Sequence, residues 1–210
     1  MKLAKLFLLL PAFAMVACSS DKPSSQPVDP TVISEAEFTA IFQDLKLFKE
    51  DNFSLKTEVT TRDYVAWTKV DAGKVKIYEQ EDVEDPEDAL YIEFLENNEI
   101  DRIRYEDGAW QRNDITPDKA KEYLFQNSAF LPFEYKDLVR DEENKQYTIS
   151  LVEMDNYDDE TLYISDVTLA FNNNKPTKIT FDFSFDEQGQ DKNSMELTFT
   201  YGGVTVVIPE

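Results

Sequence analysis

The chain contains no histidine and a single cysteine, Cys18. Without an imidazole it lacks the commonest general base, and with it Ser-His-Asp and Cys-His nucleophile systems and nearly all zinc sites. Its five glycines, Gly73, Gly108, Gly189, Gly202 and Gly203, build no phosphate-cradling loop and no dinucleotide fingerprint, and no G-x-S-x-G elbow occurs. Basic residues are scarce as well: 21 Lys and Arg against 43 Asp and Glu leave a net charge of −22. Such a surface repels phosphate backbones and anionic headgroups, so nucleic acid is excluded as a partner. Chemistry by paired carboxylates stays open, since two suffice in a glycosidase. With 43 acids some pair meets by chance, so a glycan-acting carboxylate enzyme is a distant alternative to a non-catalytic protein without cofactor or metal.

What is present begins with a signal. Lys2 and Lys5 precede an apolar run, 6–17, that is too short for the roughly 20 residues of a membrane-crossing helix. Small residues then lead to Cys18, the pattern of a secretory segment that is removed. Met15-Val16-Ala17-Cys18 resembles the bacterial lipobox, in which cleavage before a diacylglyceryl-modified cysteine leaves an acylated N-terminus; Met15 is an unusual occupant of its first position. More than one acyl chain is needed for stable anchoring. Residues 1–17 are therefore expected to be a lipoprotein signal peptide, with Cys18 the lipidation site and the membrane a partner through it. Residues 18–31 are rich in Ser and Pro and read as a flexible tether of roughly 20 Å. Residues 32–210 read as one domain, since 41% hydrophobic and 13% aromatic content supports a core of that size.

The domain opens with a helix start: Ser34 as N-cap, Glu37 to close a capping box, and Ile33 to staple onto Phe38. Phe38, Ile41, Phe42, Leu45 and Phe48 form one apolar stripe, predicting a single helix over 34–48. From Asn52 the period drops to two, predicting strands at 53–59, 64–70, 74–79, 90–96, 100–105 and 109–112. Thr116-Pro117 starts a second helix, over 117–127. Residues 128–138 read as a short helix or packed loop. Strands resume at 146–152, 161–171, 177–185, 194–201 and 204–208. Ile179, Phe181, Phe183 and Phe185 fall on one strand face, as do Met195, Leu197, Phe199 and Tyr201. Phe42 and Phe181, at the centres of their stripes, are predicted to be buried.

Seven acids crowd 79–88, and smaller groups occur at 155–160 and 186–191. None has the spacing of a calcium loop, and charge runs of this kind are solvated. The 15 Phe, 10 Tyr and 2 Trp serve first as core. A surplus of them on a curved sheet can instead line a cavity for a hydrophobic ligand. Trp67 and Trp110 fit either role.

The order of parts carries a family resemblance. A lipobox, a tether, a capped helix running into Asn52-Phe53-Ser54-Leu55, a meander with Asp107-Gly108-Ala109-Trp110, a central helical segment, a second run of strands and a terminal Val204-Thr205-Val206-Val207-Ile208-Pro209 resemble the LolA/LprG-like lipoprotein superfamily. The resemblance covers about 33–209. It implies an α+β domain: a strongly curved, mostly antiparallel sheet, or half-barrel, with helices covering its concave face; periodicity puts the sheet at about nine to eleven strands. It also implies an envelope location and a lipid or other hydrophobic molecule as partner. On that geometry Leu55, Trp67, Phe94, Phe183 and Phe199 would line the ligand cavity. A cell-surface interaction or adhesion protein with a filled core is the alternative.

Overall fold

The computed structural model describes residues 29–79, 86–128, 133–155, 161–187, 189 and 191–210. Cys18, the signal segment, most of the tether, residues 80–85 of the acidic run, the Phe130-Leu131-Pro132 stretch and residues 156–160 lie outside the described residues.

Eleven strands form one sheet: β1 (Asn52–Val59), β2 (Tyr64–Asp71), β3 (Lys74–Glu79), β4 (Leu90–Phe94), β5 (Ile100–Glu106), β6 (Ala109–Asp114), β7 (Val139–Asp141), β8 (Gln146–Asp155), β9 (Thr161–Asn172), β10 (Lys175–Ser184) and β11 (Asn193–Tyr201). Their order is β6-β5-β4-β3-β2-β1-β11-β10-β9-β8-β7, every neighbour antiparallel. Two meanders are thus zipped together along β1 and β11, where Leu55 faces Phe199 and Thr57 faces Leu197. The sheet is strongly curved and unclosed, with β6 and β7 at its edges. Both edges are guarded against further pairing: β6 carries Arg112 and Asp114, and β7 is only three residues long.

Alternation works as the sequence predicts on β1, whose Phe53, Leu55, Thr57 and Val59 are buried while the residues between are half-exposed. The β2–β3 turn needs its glycine. Gly73 has φ 91°, a Cβ there would meet the Phe94 carbonyl at 3.4 Å, and its N–H and C=O bond Phe48 and Phe94.

The predicted 34–48 helix is two helices, α1 (Glu35–Phe42) and α2 (Lys46–Glu50). Ser34 caps α1 by accepting from the Glu37 amide at 3.3 Å, and the Glu37 carboxylate pairs with Lys46. The break lies at Leu45, left-handed at φ 58°. That conformation costs about 1–2 kcal/mol for a non-glycine residue, whereas full burial of a leucine side chain contributes about 1.5–3 kcal/mol. Leu45 is fully buried, so burial wins. The kink lets Phe38 and Phe42 from α1 and Leu47 and Phe48 from α2 enter one core. α3 (Pro117–Ser128) starts at Thr116, whose hydroxyl accepts from the Lys119 amide, and buries Ala120 and Leu124 in that same core. In the described part of 128–138, Phe133 is buried and a 3-10 turn forms at Tyr135–Asp137.

Three strand expectations are corrected. β7 falls where no strand is predicted, and 204–208 belongs to no strand. The third correction is a register break: Thr180 faces Thr168, but Asp182 faces Ser165, with Asp166 at φ 53° between. This bulge turns side chains over. Ile164 and Val167 are both buried, and Leu151, which shares parity with buried Ile149, is 54% exposed. Phe185 also leaves the face it shared in the alternation, because β10 ends at Ser184, and it is 52% exposed.

The chain enters the domain along β7 and β8. Arg140 stacks on Tyr147 at 4.9 Å and donates to the Thr31 carbonyl at 3.1 Å, Tyr147 Oη accepts from the Ile33 amide at 3.1 Å, and the Asn173 amide bonds Pro30.

Candidate functional site

The sheet has two apolar faces. On the helix-bearing face, a large core joins α1, α2 and α3 to residues from both meanders. Leu55 and Phe199, cross-strand partners, are buried in it, and Phe94 and Phe183 pack against it half-buried. Four of the five predicted lining residues therefore share this face. Leu138, Val152, Leu162 and Met195 are half-buried against the same core.

Trp67 does not join them. It faces Lys56 across β1–β2, one step away from the pairing of Leu55 with Thr68, and so projects from the opposite face. There it packs against a second buried cluster, Tyr78, Ala89, Tyr91, Ile103 and Val206, together with Trp110, Val204 and Ile208. Trp110 meets Tyr91 and Tyr105 edge-on at 5.7 and 5.3 Å. Both tryptophans are thus part of a small outer core.

The C-terminal segment closes that cluster. Val204, Val206 and Ile208 turn toward the sheet, and Val207 between them is 77% exposed. Side chains rather than a strand ladder hold the segment. Asn52 accepts from the Val204 amide at 3.0 Å and donates to its carbonyl at 2.5 Å, while Asp71 accepts from the Val206 amide at 3.2 Å. Beside this strap opens a pocket of about 390 Å³ lined by Ser54, Trp67, Lys69, Tyr78 and residues 202–205. Of the five predicted lining residues, Trp67 borders this pocket.

Lysines stand over these rings. Lys56 lies 5.8 Å from the Trp67 centroid, Lys69 and Lys76 lie 5.6 and 5.1 Å from that of Tyr78, and Lys76 also reaches Tyr91 at 5.8 Å. Burial, reinforced by the charge of Lys69, holds the Lys76 ammonium below its ordinary pKa, and burial raises that of the Tyr91 phenol. Sequence reasoning missed this group apart from Trp67. Its signal was the alternation of Trp67 with Lys69 and of Lys76 with Tyr78, which placed aromatic and cation on one face of each strand.

Farther along the same face, Glu93 and Asp101 oppose each other across β4–β5, and Arg112 donates to them at 2.8 and 2.7 Å. The Asp101 side chain is buried, and these charge-assisted bonds compensate its lost hydration. The guanidinium is pushed above its usual range by the hydrogen bonds to Asp101 and Glu93. Two further pockets, of about 340 and 240 Å³, lie between α1 and the Tyr135 turn and over the register break at Asp166 and Asp182. Among the described residues no cluster of three or more potential metal ligands occurs, and no helix is long and apolar enough to cross a membrane.

Against known proteins, the chain matches no family model and no curated protein.

Proposed function

We propose that this chain is a membrane-anchored lipoprotein of the bacterial cell envelope that binds or carries a lipid or other hydrophobic molecule without catalysis. On this reading the helix-bearing face is the concave side of a LolA/LprG-like half-barrel, and α1, α2 and α3 cover it. The observation that carries the reading is the set of half-buried apolar side chains on that face. Phe94 and Phe183, with Leu138, Val152 and Leu162, pack against the core that includes Leu55 and Phe199 without being fully buried. Apolar surface left partly open beside a closed core is the usual wall of a ligand site. Acyl groups on Cys18 would hold the domain at the membrane. The clamp of residues 30–33 by Arg140, Tyr147 and Asn173 supports this, because it fixes where the tether leaves the domain.

A fluorescent fatty acid titrated into the full mature chain, produced without acylation, tests the proposal. Saturable binding at about micromolar affinity, weakened at least about fivefold by Phe183→Trp or Phe94→Trp as the added ring fills space, is the expected result. Saturable binding indifferent to both substitutions would remove the site from this face. No binding of any acyl ligand would favour the surface-interaction reading, for which exposed Leu151 and Phe185 supply apolar contacts.

A further inference from the structure

We propose that the pocket between Trp67, Lys69, Tyr78 and the 202–205 strap binds a sugar carrying a carboxylate, its ring against Trp67 and its charge toward Lys69, which lines the pocket, and Lys76, its cross-strand neighbour.

The first ground is an unmatched pair of charges. In this acidic protein cations readily find carboxylates: Lys56 pairs with Glu58, Lys178 with Glu196, and Lys192 with Asp166 and Asp182. Lys69 and Lys76 face each other directly across β2–β3, and among the described residues neither has a carboxylate within ion-pair distance. Like charges in that position repel. Both ammoniums instead stand over the one Tyr78 ring. A bound anion would convert the repulsion into attraction for both.

The second ground is the shape and chemistry of the pocket. Its volume of about 390 Å³ suits one or two sugar rings. Trp67 supplies flat apolar surface, its buried cross-strand partner Tyr78 backs the pocket, and Ser54, Thr205 and the strap backbone supply hydrogen-bonding groups for hydroxyls. Gly202 and Gly203, at φ 85° and 72°, leave the pocket mouth open, since a Cβ on either would meet nothing within 4 Å. The strap is fixed in advance by Asn52 and Asp71, so little ordering is required on binding.

The net charge of −22 sets the ligand's valence. At physiological salt, fields decay over about 8 Å, so the two adjacent lysines govern a monoanion at contact. A polyanion would extend beyond them into the field of the acidic surface. This separates a single uronic acid from nucleic acid or a densely sulfated chain.

Isothermal titration of the mature chain with methyl β-glucuronide, methyl β-glucoside and hexanoate tests the inference. Saturable binding of the glucuronide is expected, at least about tenfold tighter than either the neutral sugar or the ringless acid. Lys69→Met and Lys76→Met should each weaken it by about fivefold or more, with circular dichroism unchanged, and Lys178→Met should leave it as it is. No glucuronide binding by the wild-type chain overturns the proposal. So does equal affinity for glucuronide and glucoside, equal affinity for hexanoate, or glucuronide binding unaffected by both lysine substitutions. Fatty-acid binding on the helix-bearing face is read separately, so either site can fail alone.

Discussion

Asn52 donates to Asp71 at 3.1 Å, and the two side chains together grip the C-terminal segment through Val204 and Val206. Asn52 is the first residue of β1 and Asp71 the last of β2, paired directly across the sheet. One amide and one carboxylate at that corner therefore hold Val204, Val206 and Ile208 over the outer aromatic cluster. Truncation of Asn52 to Ala removes both bonds to Val204. Stability should fall by about 1–3 kcal/mol, and hydrogen exchange at Val204 and Val206 should accelerate far more than exchange in β10. Unchanged protection at those two amides would show that apolar packing alone holds the segment.

Phe42 and Phe181 are buried, Phe42 completely. Phe42 packs on Phe38 at a ring separation of 4.5 Å and edge-on to Phe171 at 6.5 Å. Alanine at either position should cost about 3–5 kcal/mol in urea unfolding, the range for deleted core aromatics. A loss under about 1 kcal/mol would mean the site collapses to fill the cavity.

Tyr201 predicts an alkaline weakness. Burial, with the nearby negative charge of Asp51, raises its phenol pKa above the ordinary value, and its hydroxyl donates to the Pro176 carbonyl at 2.9 Å. A folded pKa above the unfolded one gives stability that is complete below about pH 10 and is lost as pH rises beyond it. Tyr201→Phe should be less stable than wild type by about 1 kcal/mol at neutral pH, from the lost hydrogen bond. Its stability should then fall less steeply above about pH 10. Parallel stability curves through that range would refute the linkage.

Arg112→Met should leave the buried Asp101 carboxylate and its neighbour Glu93 without their shared cation. Because the guanidinium is about half exposed, the expected loss is at the lower end for a broken ion pair, about 1–3 kcal/mol. Adding Asp101→Asn should recover part of it. A double variant no more stable than Arg112→Met would show that Asp101 is adequately solvated without its partner.

Cys18→Ala should abolish incorporation of a fatty-acid probe and leave the precursor uncleaved, since the thioether is the expected substrate of processing. Metabolic labelling with gel readout checks this. Equal labelling of wild type and variant would end the lipoprotein proposal.

Features that depend on neighbours along the chain are legible in the sequence. Ser34 and Pro117 mark helix starts because capping and proline geometry are local, and the alternation in β1 and β11 marks their buried sides. How those sides combine depends on contacts between distant segments. Leu55 and Trp67 lie on neighbouring strands at positions that periodicity alone treats as equivalent. The intervening turn pairs Val59 with Tyr64, however, and that register puts them on opposite faces. The left-handed Leu45 likewise follows from the burial available to its side chain, and no residue pattern announces it. The extra residue at Asp166 turns Leu151 outward through pairing with a neighbouring strand. Val204–Ile208 alternates like a strand, yet it is held by Asn52 and Asp71, a contact between residues far apart in sequence. Periodicity reports which residues of one element share a side; which sides meet is set by register, bulges and long-range hydrogen bonds, and these exist only once the sheet has assembled.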